Sequence, residues 1–72
     1  MNSVEVFKTN VEQKGDAAIL LGILSRLFPA YKINFDLEDC DKILRVEGEK
    51  LQPKKIIEIL NTKGHQCLVL DC

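Results

Sequence analysis

The spacing of hydrophobic positions changes character several times along this chain. Val4-Glu5-Val6-Phe7-Lys8 alternates as a β-strand does, with Val4 and Val6 on one face and Glu5 and Phe7 on the other. A polar stretch over 10–15 closes that strand. From Asp16 to Phe28 the period lengthens, and Leu20, Ile23, Leu24 and Leu27 recur as one stripe of a helix. Asp16 suits the N-cap, where a carboxylate accepts from free N–H groups of the first turn. Pro29 stops the helix after Phe28. The strictest alternation follows over 31–38, with Ile33, Phe35 and Leu37 on the core side. Asp39-Cys40-Asp41 reads as a turn, and 42–47 as a returning strand with Leu44 and Val46 on one face. Two strands joined so closely form a hairpin, and Gly48 ends it. Pro53 then fits the first position of a second helix, where its missing N–H costs nothing. Ile56, Ile57 and Leu60 are its buried stripe. Gly64 is placed for a left-handed C-terminal cap, with Lys63 against the negative end of the helix dipole. Residues 66–71 make a last strand.

The resulting order is βαββαβ. Two split βαβ units with right-handed crossovers give an α+β, ferredoxin-like sandwich. It is expected to be one domain over 1–72, a four-stranded antiparallel sheet of order 4-1-3-2 with two helices on one face. That connectivity gathers three loops at one end: 10–16, the hairpin turn 39–41, and 63–65. The fold hosts many unrelated functions, so the residues must decide among them.

Composition narrows the choice. Seventy-two residues make one domain with a thin stability margin. Ten Lys/Arg against eleven Asp/Glu leave a net charge of −1, without the basic excess of a nucleic-acid binder. The outward strand positions also lack the aromatic platforms of a single-stranded RNA reader, Phe7 being the one on the first strand. No apolar run approaches the roughly 20 residues of a bilayer span, and Met1 to Thr9 does not read as a secretory signal. A cytoplasmic location without membrane insertion is expected. No Ser-His-Asp or Cys-His pair is adjacent in sequence, and an enzyme is not expected.

The three cysteines, at 40, 67 and 72, are too few for a disulfide scaffold and form no Cys-x-x-Cys pair. On a strand, Cys67 and Cys72 lie about 17 Å apart on opposite faces, too far for a disulfide. Cys67 reads as a core residue and Cys72 as a free thiol.

Core and turn positions from Val4 to Val69 resemble the heavy-metal-associated domain of small copper chaperones. Val4-Glu5-Val6 looks like that family's first strand, and Asn10-Val11 falls where its Gly-Met stands. Leu20, Ile23, Leu24 and Leu27 match its first helix, and Ile33 to Leu37 its second strand. Val46-Glu47-Gly48, Pro53, Ile56-Ile57, Leu60 and Gly64 follow the remainder. The resemblance implies a metal-carrier frame. It places Gln13 and Asp16 where the family has its two metal cysteines. Amide and carboxylate oxygens do not replace the thiolates that hold soft Cu(I), so thiolate-based copper carriage is not expected.

Two functions from different classes remain. The first is a non-enzymatic binding module that docks a protein partner, or a second copy, through Phe7, Leu68 and Leu70 on the open face of the sheet or through the loop end. The second is a carrier of a transition metal ion at a loop site made from Cys40 and His65, helped by Asp16 or Asp39. In the resemblance, His65 stands near the metal loop. Against the second, the hairpin and the last strand are about 10 Å apart, two strand spacings.

Overall fold

The computed structural model describes residues 2–70. Its elements are β1 (Ser3–Thr9), α1 (Lys14–Leu27), β2 (Lys32–Asp36), β3 (Ile43–Gly48), α2 (Pro53–Thr62) and β4 (Cys67–Val69). The strands form one antiparallel sheet of order β2-β3-β1-β4, which counted from the other edge is 4-1-3-2.

Register decides which side chains enter the core. Phe7 lies opposite Leu44, Glu5 opposite Val46, and Thr9 opposite Cys67. Ile33 lies opposite Val46 and Phe35 opposite Leu44. These residues share one face of the sheet. Phe7, Leu44, Val46, Ile33 and Cys67 join Ala17, Leu20 and Leu24 of α1 and Ile56 and Leu60 of α2 in a single core. Both helices therefore cover the same face.

This placement corrects the orientation of β1. Phe7 is 0% exposed and buried in the core, not on the open face. The open face of β1 carries Val4 and Val6, on the opposite side of the pleat. The large ring fills the centre of the sandwich, and the two smaller valines are left outside. The stripe of α1 is also narrower than its spacing suggests: Leu20 and Leu24 are buried, and Leu27 is largely exposed.

α1 begins earlier than expected. Gln13 is the N-cap, in extended conformation, and its carbonyl accepts the Ala17 N–H at 3.0 Å. Asp16 is thus the third helical residue and does not cap the helix. Its charge still lies in the first turn, near the positive end of the dipole. α2 follows its sequence signals closely. Pro53 opens it, and Gly64 adopts φ +87° beyond its end. The Gly64 N–H donates to the Asn61 carbonyl and the His65 N–H to the Leu60 carbonyl, at 3.0 and 2.9 Å. This pair of bonds is a Schellman cap. β4 is shorter than expected; the reading of 71 as strand and of Cys72 as a free thiol falls outside the described residues.

One close approach is backbone against ring. A Cβ on Gly48 would stand 2.6 Å from Tyr31 Cδ1. Tyr31 is held in place from both ends. Its ring stacks on Phe28 at 4.9 Å, and its hydroxyl donates to the Lys50 carbonyl at 2.9 Å. Gly48→Ala is expected to lose about 1–3 kcal/mol through this overlap. Urea unfolding of Gly48→Ala beside Gly48→Ala/Tyr31→Ala measures it. Removing the ring should recover the cost of the added methyl.

Candidate functional site

The loop end is assembled around Thr9, the last residue of β1. Its N–H donates to the Asp41 carbonyl at 3.1 Å and its hydroxyl to the Lys42 carbonyl at 2.6 Å. The same oxygen accepts the Val11 N–H at 3.2 Å. Thr9 is buried, and Val11 is fully buried beside it. The hairpin turn and the β1–α1 loop are thereby fixed to one point. Asn10 adds the third loop, because its side-chain oxygen accepts the Gln66 N–H at 2.8 Å. All three loops lie at one end of the sandwich.

The hairpin turn is shaped by its aspartates. Asp39 accepts the Asp41 N–H on Oδ1 at 2.9 Å, and its carbonyl accepts the Lys42 N–H at 3.0 Å. Asp36 Oδ1 accepts the Glu38 N–H at 3.3 Å. Such Asx turns are what short acidic side chains do at loop positions. Lys42 has φ +48°, and its ammonium donates to the Leu37 carbonyl at 3.0 Å. Lys8 and Asp41 form a loose, partly exposed ion pair at 3.9 Å, of little energetic weight.

The residues expected to hold a metal are not gathered. Among the described residues, Asp39, Cys40 and Asp41 are the one group of three whose ligand atoms all lie within 4.8 Å of one another. Neither His65 nor Asp16 belongs to it. Asp16 sits exposed on the first turn of α1, and His65 is half-buried in the α2–β4 loop. The neighbours of Cys40 are its own turn aspartates, which already serve the turn. Gln13 and Asp16, at the positions that the resemblance assigns to metal thiolates, are both exposed. Cys67 is buried, and removal from water pushes its thiol from the ordinary 9.0 up to about 12. That thiol is neutral and inert at physiological pH.

A cleft beside α1 and the end of β2 is lined by Lys14, Ala17, Phe35, Asp36, Leu37 and Glu38. It offers one amine, from Lys14, and two carboxylates, from Asp36 and Glu38.

The open face of the sheet is more distinctive. Leu68 lies opposite Lys8, and the Leu70 N–H donates to the Val6 carbonyl at 2.8 Å. Val6 and Leu70 thus stand opposite each other, with Leu68 beyond Leu70 on β4 and Val4 beyond Val6 on β1, in a diagonal strip. Leu68 is 63% and Val4 46% exposed, while Val6 and Leu70 are half-buried between them. Lys8, Arg45 and Glu47 border the strip, with Arg45 and Glu47 paired at 3.6 Å. An apolar strip inside a polar rim is the usual build of a contact surface. Leu68 and Leu70 belong to it as expected, and Val4 and Val6 take the place given to Phe7. The alternation of Val4 with Val6 was the signal that could have found them.

No family model, curated protein or solved structure matches this chain. No helix among the described residues is long and apolar enough to cross a membrane.

Proposed function

We propose that this chain is a small non-enzymatic interaction module on a ferredoxin-like frame of the heavy-metal-associated kind, without the family's thiolate copper site. The βαββαβ order, the shared helix face and the sheet order support the frame. One observation carries the function: the strip of Val4, Val6, Leu68 and Leu70 on the uncovered face. Burying exposed leucine and valine against a partner contributes about 25 cal/mol per Å² of apolar surface removed from water.

The test is Val4→Lys/Leu68→Lys. Both side chains are exposed, so stability should stay within roughly 0.5 kcal/mol per site. Chemical-shift titration against a bound protein, or against rising concentration of the chain itself, should move the amides of 4–8 and 67–70 in the wild type. The double variant should lose that response. Equal binding by a folded double variant would remove the strip from the function.

A metal carrier on Cys40, His65 and Asp16 is the weaker reading, because Cys40 has Asp39 and Asp41 as neighbours in place of the other two. Zn(II) titrated against the reduced protein decides it. Coupled shifts at 16, 40 and 65 would restore it over the interaction module.

A further inference from the structure

Helix α1 has a second face that the fold leaves unused. Ala17, Leu20 and Leu24 are buried against the sheet. On the far side Gly15, Ile19, Gly22 and Arg26 recur at helical spacing, and all four are exposed. Ile19 is 63% exposed, as much as Leu68 in the strip. Ile23, one turn further on, is half-buried where it lines a groove with Ile59 of α2.

Gly22 has no explanation within the chain. Glycine in a helix interior is destabilising relative to alanine. A Cβ at Gly22 would meet nothing within 4 Å outside its own stretch of helix among the described residues, so internal packing does not require the glycine. The missing side chain leaves a notch between Ile19, Ile23 and Arg26. With Gly22, these residues are spaced as the four-residue hole that receives a knob from a facing helix.

The charges at the two ends of this face are uncommitted. Asp16 in the first turn and Arg26 in the last are exposed. Neither has an oppositely charged residue three or four positions away. Neither joins an ion pair among the described residues.

We infer that two copies of this chain pair through α1, antiparallel, with the two-fold axis level with Leu21. Asp16 and Arg26 each stand five residues from Leu21, and Ile19 and Ile23 each two. The axis therefore sets Asp16 level with Arg26 of the other copy, and Ile19 level with Ile23 of the other copy. Each Ile19 enters the hole at the other copy's Gly22, where no Cβ obstructs it. The two Ile19 side chains meet beside the axis, and at each end a guanidinium faces a carboxylate. One operation thus sets large against small and cation against anion. A parallel pair would set Arg26 against its own counterpart. A foreign helix would have to supply the same anion, knob and cation in reverse order. A second copy of α1 supplies them by symmetry.

The seam is short. A standard interface buries about 800 Å² per partner. α1 has 14 residues, a length of about 21 Å, and a contact along one face of it covers less. The pair is therefore weak and concentration-dependent.

This surface lies on the opposite side of the molecule from the strip of the proposed function, so the two fail separately. Sedimentation velocity of the full-length chain from about 0.05 to 2 mM, around the range of weak complexes, should show dimer growing with concentration. Gly22→Gln plugs the hole with a better helix former than glycine. It should raise the urea midpoint of the dilute chain and abolish the dimer. A glycine needed only for the fold would give the opposite, a lower midpoint. Arg26→Glu sets two carboxylates together at each end and should weaken the dimer about tenfold. Asp16→Arg/Arg26→Glu exchanges the charges and should recover it. Circular dichroism confirms that each variant is folded.

Wild-type monomer across the range would end the pairing, and so would a dimer that Gly22→Gln leaves intact. Loss in Arg26→Glu without recovery in the exchanged variant would overturn the register. Val4→Lys/Leu68→Lys should dimerise as the wild type does. If that variant alone became monomeric, self-association would belong to the sheet face and the α1 seam would be wrong. If it lost a foreign protein but kept the dimer, both surfaces would stand.

Discussion

Phe7→Ala is expected to leave the chain largely unfolded at 25 °C. Truncating a fully buried phenylalanine costs about 3–5 kcal/mol, the lost transfer energy plus the cavity left behind. A core of this size rarely supplies more than about 3–5 kcal/mol of net stability. Phe7 is 0% exposed and packs opposite Leu44 at the centre of the sheet. The comparison that gives the result meaning is Leu68→Ala on the open face. That change removes an exposed side chain and should cost under roughly 0.5 kcal/mol. Circular dichroism with urea titration measures both. Similar, small losses for the two variants would put Phe7 back on the surface and invert β1.

The second large effect is alkaline. Burial holds the Cys67 proton to about 12 in the folded chain, against 9.0 ordinarily. Below pH 9 both states keep the proton, and Cys67 contributes nothing to the pH dependence. Between 9 and 12 the unfolded thiol ionises and the folded one does not. The unfolded state then binds fewer protons, so stability falls as pH rises, by up to about 1.4 kcal/mol per pH unit for this group. From pH 9 to 11 the loss approaches ~2–3 kcal/mol, most of the margin of so small a domain. Other groups titrate there too, so the measurement is a difference. Urea unfolding of wild type and Cys67→Ala at pH 8, 9, 10 and 11 should show a steeper decline in the wild type. Parallel declines would contradict the burial of the thiol. Alkylation at pH 8 gives an independent check: Cys40, which is exposed, should react in the folded protein, and Cys67 only after unfolding.

Much of the architecture was legible because each element has a local signal. Pro53 and Gly64 bound α2 through rules of backbone geometry that tertiary contacts do not change. The strict alternation around Ile33 and Phe35 set the facing of β2 in the same way. β1 was ambiguous because apolar residues occupy both parities. Two valines on one face outnumber one phenylalanine beside Glu5 on the other, and counting favours the wrong face. The volume of the ring decides, and only packing against Leu44 and the helices expresses it. Asp16 misled for a different reason. Lys14 and Gly15 are weak signals of a helix start, so the strongest capping residue nearby drew the boundary to itself. The site was legible in part. Leu68 and Leu70 stood out as alternating positions on a last strand. The separation of His65 and Asp16 from Cys40 depends on loop geometry, set by Thr9 and Asn10 reaching across the chain. The contact between Gly48 and Tyr31 has no local signature at all.

The bonds made by Thr9 and Asn10 have a thermodynamic consequence for whatever meets that end of the molecule. Loops commonly lose conformational freedom when they bind, at a cost of about 1–2 kcal/mol per residue fixed. Here residues 9, 11, 41, 42 and 66 are already tied together by backbone and side-chain hydrogen bonds. The surface is preorganised, and little of a partner's contact energy is diverted into ordering it.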